Sequence, residues 1–234
     1  MLIYIALLIV PFLFGLYAQM RVSSAYNKNI QIPSRGHITG REAAAAVMES
    51  AGIHDVEIVE VEGQLSDHFD PVHKRLALSS ANYRGSSLAA LGVSAHEAGH
   101  AIQQKVGYSL MSFRQVLVPA VQIASPVAWG VLSFGIVLAS VLGAKALGLI
   151  ILQLGVVALT VIALFQFVTL PVEFDASRRA KVQLVNLGIL GRDEMVGVNE
   201  TLDAAALTYV AAFVTTMGNL LYLLLILTGG RRDD

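Results

Sequence analysis

Residues 94–104 read SAHEAGHAIQQ, with His96 and His100 four positions apart and Glu97 directly after the first. In a helix, positions i and i+4 share one face about 6 Å apart along the axis, so both imidazoles can address one metal ion. Glu97 is rotated about 100° from His96, which lets its carboxylate reach a water on that ion without being a ligand. A zinc ion with three protein ligands keeps one position for water and lowers that water's pKa to about 7. The glutamate would take the proton as the water attacks a carbonyl and later deliver it to a leaving amine. The bland counterpart is a surface helix with solvated polar residues. With six histidines in 234 residues, this spacing around a glutamate is a rare coincidence. Ala95, Ala98, Gly99 and Ala101 would also let a neighbouring backbone approach the helix.

The elements that must position these residues follow from composition. The chain is 55% hydrophobic and 14% charged, too apolar for an ordinary soluble domain. Its net charge of −1 offers no electrostatic footprint for nucleic acid. There is no cysteine, so a metal must be held by histidine and carboxylate. Four apolar segments are long enough to cross a bilayer: about Leu2 to Ala18, Val116 to Leu142, Ala146 to Leu170, and Ala204 to Leu227. The first lacks a basic flank before Arg21, which favours a retained anchor over a signal peptide. Basic residues cluster after the first span, before the second, and between the third and fourth. That bias puts the amino terminus outside a plasma (inner) membrane and the intervening polar segments in the cytoplasm. The two arginines of the carboxyl tail RRDD oppose this orientation mildly.

The expected organisation is a mainly α multi-pass membrane protein with four transmembrane helices and a small α+β cytoplasmic domain carrying a zincin-like helix. A first span over 1–20 leads to the α+β domain over 21–115. A transmembrane hairpin over 116–170, a cytoplasmic segment over 171–203, a fourth span over 204–228 and a tail over 229–234 complete it. Within the domain, Thr39 and Glu42 have capping-box spacing before an alanine-rich helix, with Gly52 as its stop. Residues 56–63 alternate apolar and acidic side chains as a half-exposed strand would. A hairpin is expected with strands near 64–69 and 75–79 around Asp70-Pro71. If it forms an edge beside the active-site helix, it could take an extended peptide, and Leu78→Pro would test that edge. The helix carrying the histidines should start near Ser86 or Ser87, run to about Lys105 and stop at Gly107.

A third ligand is still needed. In TLPVEFDASRRA, residues 169–180, Glu173 stands three residues after the third span, and two crossings return the chain to the face that carries the histidine pair. Asp175 is the rival, better suited to hydrogen-bonding a ligand histidine. An interfacial acid beside Arg178 and Arg179 is the bland alternative.

Four phrases extend the pattern: DHFDP at 67–71, LGVSAHEAGHAIQ at 91–103, EFDASRRA at 173–180 and AAALTYVAA at 204–212. Through them the sequence resembles the membrane zinc metallopeptidases of the YugP-like group. More distantly it is similar to gluzincin proteases of the HtpX and CAAX-prenyl-protease type, which also place a transmembrane hairpin between the histidine pair and the third ligand. The resemblance implies one zinc ion held by His96, His100 and Glu173, with Glu97 as catalytic base. Gluzincins usually carry an aspartate four residues after the ligand glutamate. Here that residue is Ser177, which leaves Asp175 as candidate for the orienting role. Tyr209, Arg178 and His68 are candidates to donate to the oxyanion. The implied partners are a polypeptide substrate, membrane-bound or misfolded, and the lipid bilayer. Two alternatives stand beside this reading: an intramembrane protease of the site-2 class using Asp203, and a non-enzymatic scaffold or transport subunit with a structural metal.

Overall fold

An apolar run with no charge before Arg21 forms α1 (Leu2–Asn29), longer by about three turns than the span expected there. The chain is seen in a computed structural model that describes residues 2–63, 66–131, 134, 137 and 145–229. Thr39 opens α2 (Gly40–Ser50). Its Oγ1 accepts from the Glu42 N–H at 3.2 Å, while the Glu42 carboxylate accepts from the Thr39 N–H at 2.7 Å. Two orphan helix-end donors are thereby satisfied. Gly52, at φ +69°, supplies the left-handed exit that a side chain would disfavour.

Three strands follow: β1 (Glu57–Val61), β2 (His68–Asp70) and β3 (Arg75–Ser79). β2 and β3 form the expected antiparallel hairpin, and residues 64–65 of its first arm lie outside the described residues. Asp70 makes the turn by accepting from the Val72 and His73 N–H groups at 2.9 and 3.1 Å. The sheet order β1-β3-β2 corrects the expectation of an edge at Leu78. β3 is central, with Leu78 opposite Glu60 of the parallel strand β1 and β2 on the other flank. Leu76 and Leu78 are fully buried, so this strand is core, and the free edges belong to β1 and β2. Asp67, just before β2, accepts from the Ser79 N–H and hydroxyl and from the Asn82 amide. It thereby ties the hairpin to α3 (Ser80–Arg84).

α4 (Leu88–Lys105) starts at Ser87, whose hydroxyl accepts from the Ala90 N–H at 3.2 Å, and Gly107 follows its end at φ +65°. α5 (Ser109–Gly130) begins the expected second span; most of residues 132–142 lie outside the described residues, as does the RRDD tail. α6 (Lys145–Asn186) is a single 42-residue helix, and α7 (Met195–Gly229) begins well before Ala204. Residues 171–186 and 195–203, expected as a polar connection, are therefore mostly helix. Among the described residues, three helices are long and apolar enough to cross a membrane, not four: Leu2–Asn29, Leu147–Asn186 and Met195–Thr228.

The chain divides into two compact units. One comprises Met1–Tyr17, Phe113–Leu170 and Tyr209–Asp234; its core includes Ala124, Ala128, Leu152, Leu159 and Leu223. The other comprises Ala18–Ser112 and Pro171–Thr208. Its larger core joins Val47, Leu76, Leu78, Leu91 and Ala98 to Leu184, Val198 and Leu202. This core anchors α4 to the C-terminal part of α6 and the start of α7.

Candidate metal centre

Small residues determine how closely α4 meets α6. Ala95 and Ala98 are fully buried, and a Cβ on Gly99 would lie 2.5 Å from the Ala176 carbonyl oxygen. Only a glycine leaves room for that backbone. Contact at this point faces His96 and His100, one turn apart on α4, toward Glu173 on α6. Their ligand atoms all lie within 4.8 Å of one another, with Glu173 Oε2 3.3 Å from His96 Nε2 and 3.7 Å from His100 Nε2. The two rings meet edge to face, with centroids 4.8 Å apart.

The outer nitrogen of each imidazole has its own partner. His96 Nδ1 lies 3.0 Å from the Ser177 hydroxyl, and His100 Nδ1 lies 2.9 Å from Gln103 Oε1. Both Nε2 atoms are thus left facing Glu173. Burial opposes charging His100, but its hydrogen bond to Glu173 and the charge of Glu97 outweigh that and hold its pKa above the ordinary histidine value. Glu97 is itself buried on the same helix and makes no hydrogen bond or ion pair among the described residues.

Asp175, expected to bond a ligand histidine, makes no hydrogen bond to either imidazole among the described residues. It accepts from the Gln103 amide at 3.0 Å and pairs with Arg178 and Arg179, so it reaches His100 at one remove. At the position where gluzincins carry an aspartate, Ser177 is buried and its hydroxyl meets His96 directly. Of the oxyanion candidates, Arg178 and His68 lie in the same unit as the cluster. Arg178 is committed to Asp175, and its side chain is largely exposed. His68 is exposed on β2, with Nδ1 2.8 Å from the Ser66 carbonyl oxygen. Tyr209 belongs to the other unit and is partly exposed on α7. Asp203, the distant acid of the intramembrane alternative, is exposed and paired with Lys181 at 2.6 Å. Gln103 and Ser177 are the site neighbours that sequence reasoning missed. Gln103 could have been found, since it follows His96 by seven and His100 by three positions and so shares their face.

Two imidazoles and a carboxylate converging on one point, with no thiolate, form the nitrogen–oxygen donor set of a three-ligand zinc centre, and the donors present fit that ion. The comparisons agree with this class. Residues 4–228 match the family described as "Putative neutral zinc metallopeptidase", and the chain belongs to that family. It is 36% identical over 232 residues to the protein of Bacillus subtilis (strain 168) named "Putative membrane protease YugP", across 99% of this chain and 100% of that one. No solved structure matches the chain at a significant level.

Proposed function

We propose that this protein is a membrane-bound, zinc-dependent endopeptidase whose catalytic centre is built from His96, Glu97, His100 and Glu173. The observation that carries the reading is the convergence of three ligand atoms within 4.8 Å beside a buried carboxylate that makes no hydrogen bond or ion pair among the described residues. His96 and His100 would hold the ion through Nε2, and Glu173 through its carboxylate. Bound zinc would supply a polarised, acidified water and a Lewis acid for the scissile carbonyl. Glu97 removes a proton from the attacking water and returns it to the leaving amine, so one buried carboxylate serves as base and then acid. Burial of the site strengthens these charge interactions, because little bulk water screens them.

The substrates proposed are membrane proteins or misfolded polypeptides presented at the cytoplasmic surface of the plasma membrane, with the amino terminus outside. Support comes from the three apolar helices, the basic residues flanking them and the name of the Bacillus relative. The intramembrane alternative is disfavoured by the Lys181 pairing of Asp203. The test uses wild type and Glu97→Gln purified in detergent, with zinc quantified and cleavage of an unfolded protein followed. Zinc in both and proteolysis only in wild type is the expected result. Equal cleavage by both would overturn the assignment of Glu97, and a zinc-free wild type would overturn the metal centre.

A further inference from the structure

We infer that Gln103 is the positioning residue for His100, selecting the tautomer in which Nδ1 carries the hydrogen and Nε2 is bare. The inference rests on the metal-centre reading above. Gln103 is fully buried, which is costly for an amide unless each polar atom is bonded. All are. Nε2 donates to the Val172 carbonyl at 2.8 Å and to Asp175 Oδ2 at 3.0 Å, and Oε1 lies 2.9 Å from His100 Nδ1.

The orientation of this amide follows from its partners. The Val172 backbone carbonyl can only accept, so the NH2 group must face it, and its second hydrogen meets Asp175 Oδ2. Rotating the amide by half a turn would set oxygen against both acceptors. Asp175 accepts from Arg178 at one carboxylate oxygen and from Arg179 at the other. Gln103 Oε1 is therefore directed at His100, and an amide oxygen has no proton to give. Nδ1 must be the donor. The neutral imidazole then presents its lone pair at Nε2, toward Glu173.

His96 differs. Its Nδ1 meets a serine hydroxyl, which can donate or accept and so imposes neither tautomer. The chain from the two arginines through Asp175 and Gln103 thus acts on one ligand of the pair. It does so in place of the direct carboxylate–histidine contact common around zinc.

Two measurements on the full-length protein in detergent test this. The first is zinc affinity by competition with a chromophoric chelator, comparing wild type with Gln103→Met, which keeps length and apolar volume. Gln103→Met should bind zinc about 10–100-fold more weakly, the range typical for loss of a ligand's hydrogen-bond partner. Binding within twofold of a zinc-binding wild type would overturn the inference while leaving the metal centre intact. A wild type that binds no zinc would instead sink the metal centre. The second needs no altered Gln103: long-range 1H–15N correlation on histidine-labelled, metal-free wild type at pH 8, with His100 identified by its loss in His100→Gln. Hydrogen on Nδ1 is expected, and a bare Nδ1 would overturn the proposal even if Gln103→Met failed to fold.

Discussion

Glu173 and Asp203 are both acids on long helices, yet their surroundings separate them. Glu173 is buried against two imidazoles, whereas Asp203 is exposed and paired with Lys181. Glu173→Ala should therefore abolish stoichiometric zinc binding, while Asp203→Ala should leave it unchanged. Zinc quantification on purified protein distinguishes them, and the reverse pattern would favour a site-2-like ligand set. At this scale the sequence was informative about spacing and silent about partners. His96, Glu97 and His100 could be read directly, because one helix period determines their shared face. Gln103 shares the face of His100, but its link to Asp175 was not legible, nor was the role of Ser177, because each depends on an atom supplied by a distant helix. The route from Asp175 to His100 through Gln103 was hidden for the same reason: spacing within α6 cannot report which α4 residue fills the gap between them.

Packing between elements explains why small residues flank the histidines. Gly99 lies against the Ala176 backbone, and an added Cβ would meet its carbonyl oxygen at 2.5 Å. Backbone cannot rotate away as a flexible side chain does, so Gly99→Ala should push α4 from α6. We expect destabilisation of about 1–3 kcal/mol, typical of overpacking, read by thermal unfolding. Zinc affinity should fall as well, since the ligands sit on opposite sides of the displaced contact. An unchanged melting temperature would show that the two helices can relax without cost. The sheet gives a complementary prediction. Leu78 is fully buried on the central strand, so Leu78→Ala should cost about 2–5 kcal/mol through lost burial and a residual cavity. Alternation and turn signals indicated these strands, but strand order was not legible. β1 pairs with β3 across the intervening hairpin arm, a non-local choice made by the shared core.

Across the whole chain, the unit that holds the candidate metal centre is assembled from two distant stretches, and Glu194 is one of its fasteners. Its carboxylate accepts from the Arg35 and Gly191 N–H groups at 2.8 and 2.9 Å and pairs with the Arg35 guanidinium, 159 residues away in sequence. Burial pushes its pKa up, but these donors outweigh that and hold it below the ordinary value of 4.5. A carboxyl depressed on folding contributes stability above its unfolded pKa, and the contribution is lost as pH falls through the folded value. Glu194→Gln should thus lower stability by about 1–2 kcal/mol at pH 7, with the difference from wild type shrinking below about pH 4.5. A difference independent of pH would mean that shape, not charge, holds the junction. The sequence by itself determined the helix-borne histidine pair, the caps, the turn at Asp70 and the long apolar runs, because each arises from residues within a few positions of one another. Only the tertiary structure decided that α6 passes unbroken through Glu173, that Gly99 admits its backbone, and that Gln103 and Ser177 back the two imidazoles. Those pairings depend on which surfaces bury each other, and burial is a property of the folded chain rather than of any short stretch of it.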